Sequence, residues 1–236
     1  MSLAANLARI REKIAQACRI ANRPESEVAL MAVSKNHPAE AVLEAYAAGL
    51  RLFGESRVQE WQQKSIALTH LPYAEFHLIG PLQSNKTTRA AELFHSIDAV
   101  DSLKIATRLD GATRSLGKRL PILIEVKLSH EESKHGVLPA ELPALLAGLA
   151  PLEGISPAGL MMVPPWSADP ERARPYFREL RLLRDRSLAA CPTLTQLSMG
   201  MSDDFAVAIQ EGSSCIRLGT ALFGRRQYAA DTLHSE

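Results

Sequence analysis

The sequence has few cysteines and no long hydrophobic segment. Its 236 residues include three cysteines, Cys18, Cys191 and Cys215, which are scattered and form no CxxC pair. This argues against a disulfide framework and a cysteine zinc site, and it favours a reducing environment. No apolar run reaches membrane-spanning length, and residues 1–22 carry charges throughout instead of a signal-peptide core. We therefore expect a cytoplasmic protein without a membrane partner.

An excess of one charge is also missing. The chain has 27 basic and 26 acidic residues with no block of like charge, which argues against nucleic acid or an anionic membrane as its main partner. The GxGxxG, Walker and HExxH motifs are absent and the seven histidines are dispersed, so no metal site is expected. His77 lies within an apolar run and is interpreted as a hydrogen-bonded core histidine.

The strongest local signal is a buried strand that ends in a lysine. Six apolar residues, Val28 to Val33, are followed at once by Ser34 and Lys35, and Pro38 then begins an amphipathic segment. Such a run is typical of a strand in a parallel sheet, and proline suits the first turn of a helix. Lys35 would then lie at the carboxyl end of a parallel strand, where α/β folds place their chemistry. A lysine that simply reaches solvent at a strand end is the alternative.

The alternation of strand and helix continues along the chain. Strands are predicted at residues 28–35, 51–56, 75–80, 96–101, 120–128, 157–163, 195–200 and 215–223, with helices between them. An amphipathic helix capped by Ser2 precedes them, and its apolar face contains Leu3, Leu7, Ile10, Ile14 and Cys18. Eight strands alternating with helices predict a single (β/α)8 barrel, and a doubly wound open sheet is the alternative. No linker is found, so residues 1–236 are expected to form one domain.

Two loops at the predicted carboxyl end of the barrel have the composition of an anion site. After the seventh strand, Gly200 and a predicted N-cap, Ser202, lead into a helix whose first amides point outward. After the eighth strand come Gly219 and Thr220, and these two loops are the usual phosphate site of this fold. The alternative for Ser202 is an ordinary helix cap. Arg217 lies within the eighth strand, and its side chain points either into the barrel or outward to a helix carboxylate.

Taken together, the motifs closely resemble those of a known family. In chain order they are Val33-Ser34-Lys35, Phe53-Gly54-Glu55, His77-Leu78-Ile79-Gly80-Pro81-Leu82-Gln83-Ser84-Asn85-Lys86, Glu132-Ser133-Lys134-His135-Gly136, Leu197-Ser198-Met199-Gly200-Met201-Ser202-Asp203-Asp204 and Arg217-Leu218-Gly219-Thr220-Ala221-Leu222-Phe223-Gly224. Over nearly its whole length the sequence resembles the pyridoxal phosphate homeostasis proteins (the YggS/PROSC family, of the alanine-racemase-like fold). The motifs are specific in combination, whereas Ser-Lys or Arg-x-Gly-Thr alone carries no information.

The resemblance implies a fold and a cofactor site. It implies one (β/α)8 barrel of the fold-type III class of pyridoxal 5′-phosphate (PLP) proteins, with PLP held as a Schiff base on Lys35. It also implies phosphate contacts at Ser202, Gly219 and Thr220, and an arginine, Arg217, that faces the pyridine nitrogen. Because an arginine keeps its proton, the ring nitrogen would stay unprotonated and the cofactor would be a weak electron sink.

Two positions depart from the family pattern. Ser56 stands where the family often has asparagine, and His37 stands where it often has a basic residue. Any cofactor contact that the asparagine makes in the family is therefore in question here.

The expected function is PLP binding for intracellular PLP homeostasis, with little or no catalysis and no catalytic residue assigned. The expected partners are PLP and PLP-dependent apo-enzymes, and the expected state is a monomer or a weak dimer. One alternative is a PLP-dependent amino-acid racemase. We expect the chain to lack the second domain that carries the opposite base in alanine racemases, because it ends shortly after its eighth strand. The other alternative is a barrel enzyme without PLP, in which Lys35 reacts directly with a carbonyl substrate.

Overall fold

The fold is a closed barrel of eight parallel strands surrounded by helices. The structure is a computed structural model that describes residues 2–68, 70–129 and 135–224. Each strand pairs in parallel with the next along the chain, and the first also pairs with the eighth, which closes the sheet. The predicted (β/α)8 barrel is therefore confirmed over the open doubly wound sheet, which would have two free edges.

The strands and helices lie close to their predicted positions. The strands are β1 (Ala29–Val33), β2 (Leu52–Glu55), β3 (Glu75–Leu78), β4 (Ser96–Val100), β5 (Leu120–Glu125), β6 (Ile155–Met161), β7 (Gln196–Ser198) and β8 (Cys215–Leu218). The helices are α1 (Leu3–Ile20), α2 (Ala39–Ala47), α3 (Val58–Lys64), α4 (Thr87–Leu93), α5 (Leu103–Ser115), α6 (Leu142–Leu149), α7 (Arg174–Ser187), α8 (Phe205–Gln210) and α9 (Thr220–Phe223). In the described ranges, no helix is both long and apolar enough to cross a bilayer.

The prediction for the last strand is wrong beyond Leu218. There the chain leaves the sheet at Gly219, and the next four residues form the short helix α9. This helix packs on α1, where Asn6 Nδ2 donates a hydrogen bond to Leu222 O at 2.9 Å and the Leu222 side chain is fully buried. A short apolar run does not distinguish a strand from a buried helical turn, so only the tertiary contacts decide between them.

The N-terminal helix α1 covers one side of the barrel. Ser2 Oγ accepts a hydrogen bond from Ala5 N at 3.3 Å, which confirms Ser2 as the N-cap. The predicted apolar face is buried, and the helix packs against α8 and α9. α1 therefore supports the two elements that follow β7 and β8.

The layer between strands and helices is apolar, whereas the inside of the barrel also holds buried polar side chains. In the outer layer, the rings of Trp61 and Phe76 stack with centroids 4.0 Å apart, joining α3 to β3. Inside, His77 and Asp98 join β3 to β4 through a 3.0 Å contact between Nδ1 and Oδ2. Arg217, on β8, is buried and hydrogen-bonded at the carboxyl end. Charged side chains inside the barrel are thus either ion-paired, as His77 is with Asp98, or hydrogen-bonded, as Arg217 is.

Candidate functional site

A cavity of about 270 Å³ opens at the carboxyl end of the barrel. Its lining includes all five residues predicted for the site: Lys35, Ser202, Arg217, Gly219 and Thr220. They come from the chain just after β1, from the loop after β7 and from β8 with its following turn. Because β1 pairs with β8, barrel closure brings these distant parts of the sequence together.

Lys35 follows β1 in a tight turn at the edge of the cavity. Ser34 N donates to Gly54 O at 3.0 Å, which continues the pairing of β1 with β2, and His37 N donates to Ser34 O at 3.0 Å. Asn36 has φ +60°, in the left-handed region that asparagine tolerates better than most residues. The turn leaves Lys35 partly buried and on the cavity wall, not free in solvent.

Arg217 points into the barrel and is only 4% exposed, which decides between the two directions that the sequence left open. Its Nη1 donates to Ser198 O at 2.6 Å and to Ser198 Oγ at 2.8 Å, and Nη2 donates to Met162 O at 2.8 Å. Burial lowers the pKa of Arg217, while the charges of nearby acidic groups, among them Asp98 and Glu125, oppose that shift. Since arginine keeps its proton in proteins, the cavity has a permanently positive group in its wall.

Ser202 lines the cavity, but it is not the helix cap that the sequence predicts. α8 begins later, after its N-cap Asp204. The delay arises because Gly200, with φ +97°, turns the chain sharply and Met201 N then donates to Asp204 Oδ1 at 2.6 Å. Ser202 Oγ instead accepts a hydrogen bond from Ala221 N at 3.1 Å. Ser202 therefore ties the loop after β7 to α9.

Gly219 begins the turn into α9 on the cavity wall. A methyl group built on Gly219 would meet nothing closer than Val33 O at 3.5 Å, which is an ordinary contact. Its φ of −104° lies outside the left-handed region. Gly200 differs, because a methyl group there would lie 2.6 Å from Ala208 Cβ and its φ is positive. The described part of the protein thus requires a glycine at position 200 but not at position 219.

The two departures from the family pattern occupy different places. His37 lines the cavity, and its ring packs against Phe223 with centroids 4.7 Å apart. Ser56 is absent from the cavity lining. Its backbone packs so closely on Gly80 that a methyl group on Gly80 would collide with Ser56 O. Of these two residues, His37 is the one on the cavity wall.

A second cavity, of about 440 Å³, lies at the opposite end of the barrel and contains His77. Burial alone would lower the pKa of His77, but the charge of Asp98 and the nearby Glu75 raise it to about 9. The structure agrees with the interpretation of His77 as a hydrogen-bonded core histidine. His77 and Lys35 line different cavities at opposite ends of the barrel.

Other lysines considered from the sequence lie elsewhere. Lys86 and Lys127 are absent from the lining of the 270 Å³ cavity. Lys127 borders a different cavity of about 200 Å³, and Val163 lines both cavities. Residues 132–134 of the quoted motif are outside the described residues. Within the described ranges, no three histidine, cysteine, aspartate or glutamate side chains are grouped to hold a metal ion.

The sequence reasoning missed the polar support beneath Lys35. Glu55 is fully buried, and its Oε1 accepts from Ser34 Oγ at 2.8 Å and from Lys64 Nζ at 2.7 Å. Burial raises the pKa of Glu55, while the charge of Lys64 and its hydrogen bond act in the opposite direction. Ser34 and Glu55 stand in the quoted motifs without an assigned contact, and the four-residue spacing of Glu60 and Lys64 usually indicates only a surface ion pair.

The closed barrel is of the alanine racemase type. Residues 5–227 match the family model described as "Alanine racemase, N-terminal domain". The chain belongs to the pyridoxal phosphate homeostasis protein family. It is 44% identical over 230 residues to the pyridoxal phosphate homeostasis protein of Pseudomonas aeruginosa, covering 97% of this chain and 98% of that protein. Identity to the Escherichia coli K12 protein is 41% over 238 residues, covering 96% and 98% of the two chains.

A solved structure provides a further comparison. PipY of Synechococcus elongatus, in a structure with PLP bound, matches this barrel with a TM-score of 0.84 and 42% identity. The match covers 94% of this chain and 100% of that one. The resemblance stated from the motifs is therefore confirmed at the level of the family.

Proposed function

We propose that this protein binds PLP in the cavity at the carboxyl end of the barrel and holds it as a Schiff base on Lys35. The observation that carries the proposal is that Lys35, Ser202, Arg217, Gly219 and Thr220 line one cavity. The family relationship supports it, because PipY has been solved with PLP bound. The protein would serve intracellular PLP homeostasis by holding the cofactor and releasing it to apo-enzymes, as a monomer or a weak dimer.

The cavity has donors for both polar ends of such a ligand. The three hydrogen bonds of Arg217 use three of its five N–H groups, which leaves two for an acceptor such as a pyridine nitrogen. Thr220 offers a hydroxyl, and Gly219, which has no side chain, suits the close approach of a phosphate to the backbone on the cavity wall. Asp203, at the exposed rim, is an acidic neighbour that opposes an anion. The cavity volume, about 270 Å³, is just below the roughly 300–1,000 Å³ that is usual for small-molecule sites.

The cofactor would supply an aldehyde carbon that a lysine amine can attack. For that attack Lys35 must lose its proton, and the fixed charge of Arg217 in the same cavity favours the neutral amine. Arg217 itself cannot give up a proton, so it acts only as a donor. These residues thus bind and orient a cofactor without supplying a proton to its ring.

Little catalysis is proposed because the cavity is poor in bases. Among the described residues, its lining contains Lys35, His37 and Asp203 as groups able to accept a proton, and no tyrosine. Racemisation needs a base on each face of the substrate carbon. With Lys35 on one face, His37 is the candidate for the other, and this is the alternative that an experiment must exclude.

Borohydride reduction of the PLP-loaded protein, followed by peptide mass mapping, tests the proposal. We expect a pyridoxyl adduct on Lys35 that disappears in Lys35→Ala and persists in the matched variant Lys127→Ala. An adduct mainly on Lys86, Lys127 or Lys134 would contradict the assignment. Incubation with L-alanine in deuterium oxide tests the catalytic part: rapid Cα exchange with D-alanine formation, both lost in Lys35→Ala, would instead establish a racemase.

A further inference from the structure

We propose that Lys64, which lies outside the cavity lining, is a positioning residue that fixes the Lys35 turn for reaction with PLP. The inference rests on the proposed function of Lys35. Lys64 is on α3, and its amine is directed inward beneath β1, with a side chain only 7% exposed. It acts through the backbone of Ser34 and not on the cofactor.

Lys64 is the centre of a hydrogen-bond network that surrounds the turn. Its Nζ donates to Ser34 O at 2.9 Å, to Glu55 Oε1 at 2.7 Å and to Glu60 Oε1 at 3.2 Å. Glu60 Oε1 in turn accepts from Asn36 N at 2.5 Å. Polar groups on both sides of Lys35 are therefore linked to one ammonium group, directly at Ser34 and through Glu60 at Asn36.

The network depends on the charge of Lys64. The Glu55 side chain is 0% exposed, and Glu55 Oε2 has no hydrogen-bond partner among the described residues. Such a carboxylate requires a cation beside it, and Lys64 forms its ion pair. Without that pairing, Glu55 would either take up a proton or draw water beneath the turn, and the hydrogen bond from Ser34 Oγ would change with it.

The turn has one residue in a conformation that gains from restraint. Asn36 holds φ +60°, a left-handed conformation that asparagine adopts at less cost than most residues, and surrounding contacts enforce it. The contacts of Lys64 and Glu60 supply that enforcement on either side of Lys35. A lysine held in one orientation loses less conformational freedom on bonding to a ligand, which strengthens binding.

The test is a double-mutant cycle on PLP affinity. Lys64→Met should weaken PLP binding by at least about tenfold in the otherwise native protein, and it should have no further effect in a Lys35→Ala background. Lys104→Met, at an exposed site on α5, is the matched control and should bind PLP like the native protein. Because Lys64→Met leaves Glu55 unpaired and could unfold the protein, Lys64→Met with Glu55→Gln is measured alongside it, with folding checked by circular dichroism.

A second measurement separates positioning from stability. The pH at which the Schiff base absorbance titrates should shift in the folded Lys64→Met/Glu55→Gln protein, which a purely structural role would not cause. Unchanged affinity and titration in that protein, with the Lys35 adduct intact in the native protein, would overturn the inference alone. An equal loss of affinity in the Lys35→Ala background would overturn it as well. Absence of any Lys35 adduct in the native protein would overturn the proposed function and the inference together.

Discussion

Replacing Gly219 by alanine would separate ligand binding from folding. The added methyl group has 3.5 Å to its nearest neighbour, Val33 O, and φ is −104°, so the folded protein can accept it. The melting temperature should therefore change little.

PLP affinity, in contrast, should fall. If phosphate approaches the backbone at Gly219, the methyl group displaces it and weakens at least one hydrogen bond to a charged group, worth about 1.5–3 kcal/mol. That corresponds to a loss of affinity of roughly tenfold to a hundredfold. Gly111→Ala is the matched control: it lies within α5 with open space around it, so it should stabilise the protein without changing PLP affinity. Unaltered binding by Gly219→Ala in a spectroscopic PLP titration would refute the phosphate assignment.

Further predictions concern the loops, pH and packing. Ser202→Ala combined with Thr220→Val should weaken PLP binding at least about tenfold while the protein stays folded, as titration and circular dichroism would show; native-like affinity would argue against both contacts. The pKa of His77 is raised from 6.5 to about 9, so the protonated imidazolium stabilises the folded protein. This stabilisation is fully present below pH 6.5 and is lost as the pH rises through about 9. Denaturant titrations should show that loss, at no more than about 1.4 kcal/mol per pH unit, and His77→Gln should abolish it. Glu211 joins α7 to α8, because its Oε1 accepts hydrogen bonds from Arg174 at 3.0 Å and from Arg178 at 3.1 Å. Glu211→Gln should therefore lower the free energy of unfolding by about 1–3 kcal/mol without affecting PLP affinity.

The order of strands and helices could be read from the sequence because its signals are local. The apolar run before Ser34, the helix-starting Pro38 and the cap at Ser2 each depend on neighbouring residues. The same approach failed at Gly219, where a buried helical turn and a strand have the same apolar composition. Packing against α1, which is distant in the sequence, decides that case.

The sequence by itself determined the family and five of the residues that line the cavity, because motifs in a fixed order identify the loops of a barrel. Only the tertiary structure decided what those side chains contact. The inward direction of Arg217 depends on acceptors from β7 and from the chain after β6, and the role of Ser202 depends on an amide in α9. The hydrogen bond from Lys64 Nζ to Ser34 O joins α3 to the turn that follows β1. Such partners are fixed by closure of the barrel, which no local pattern of residues contains.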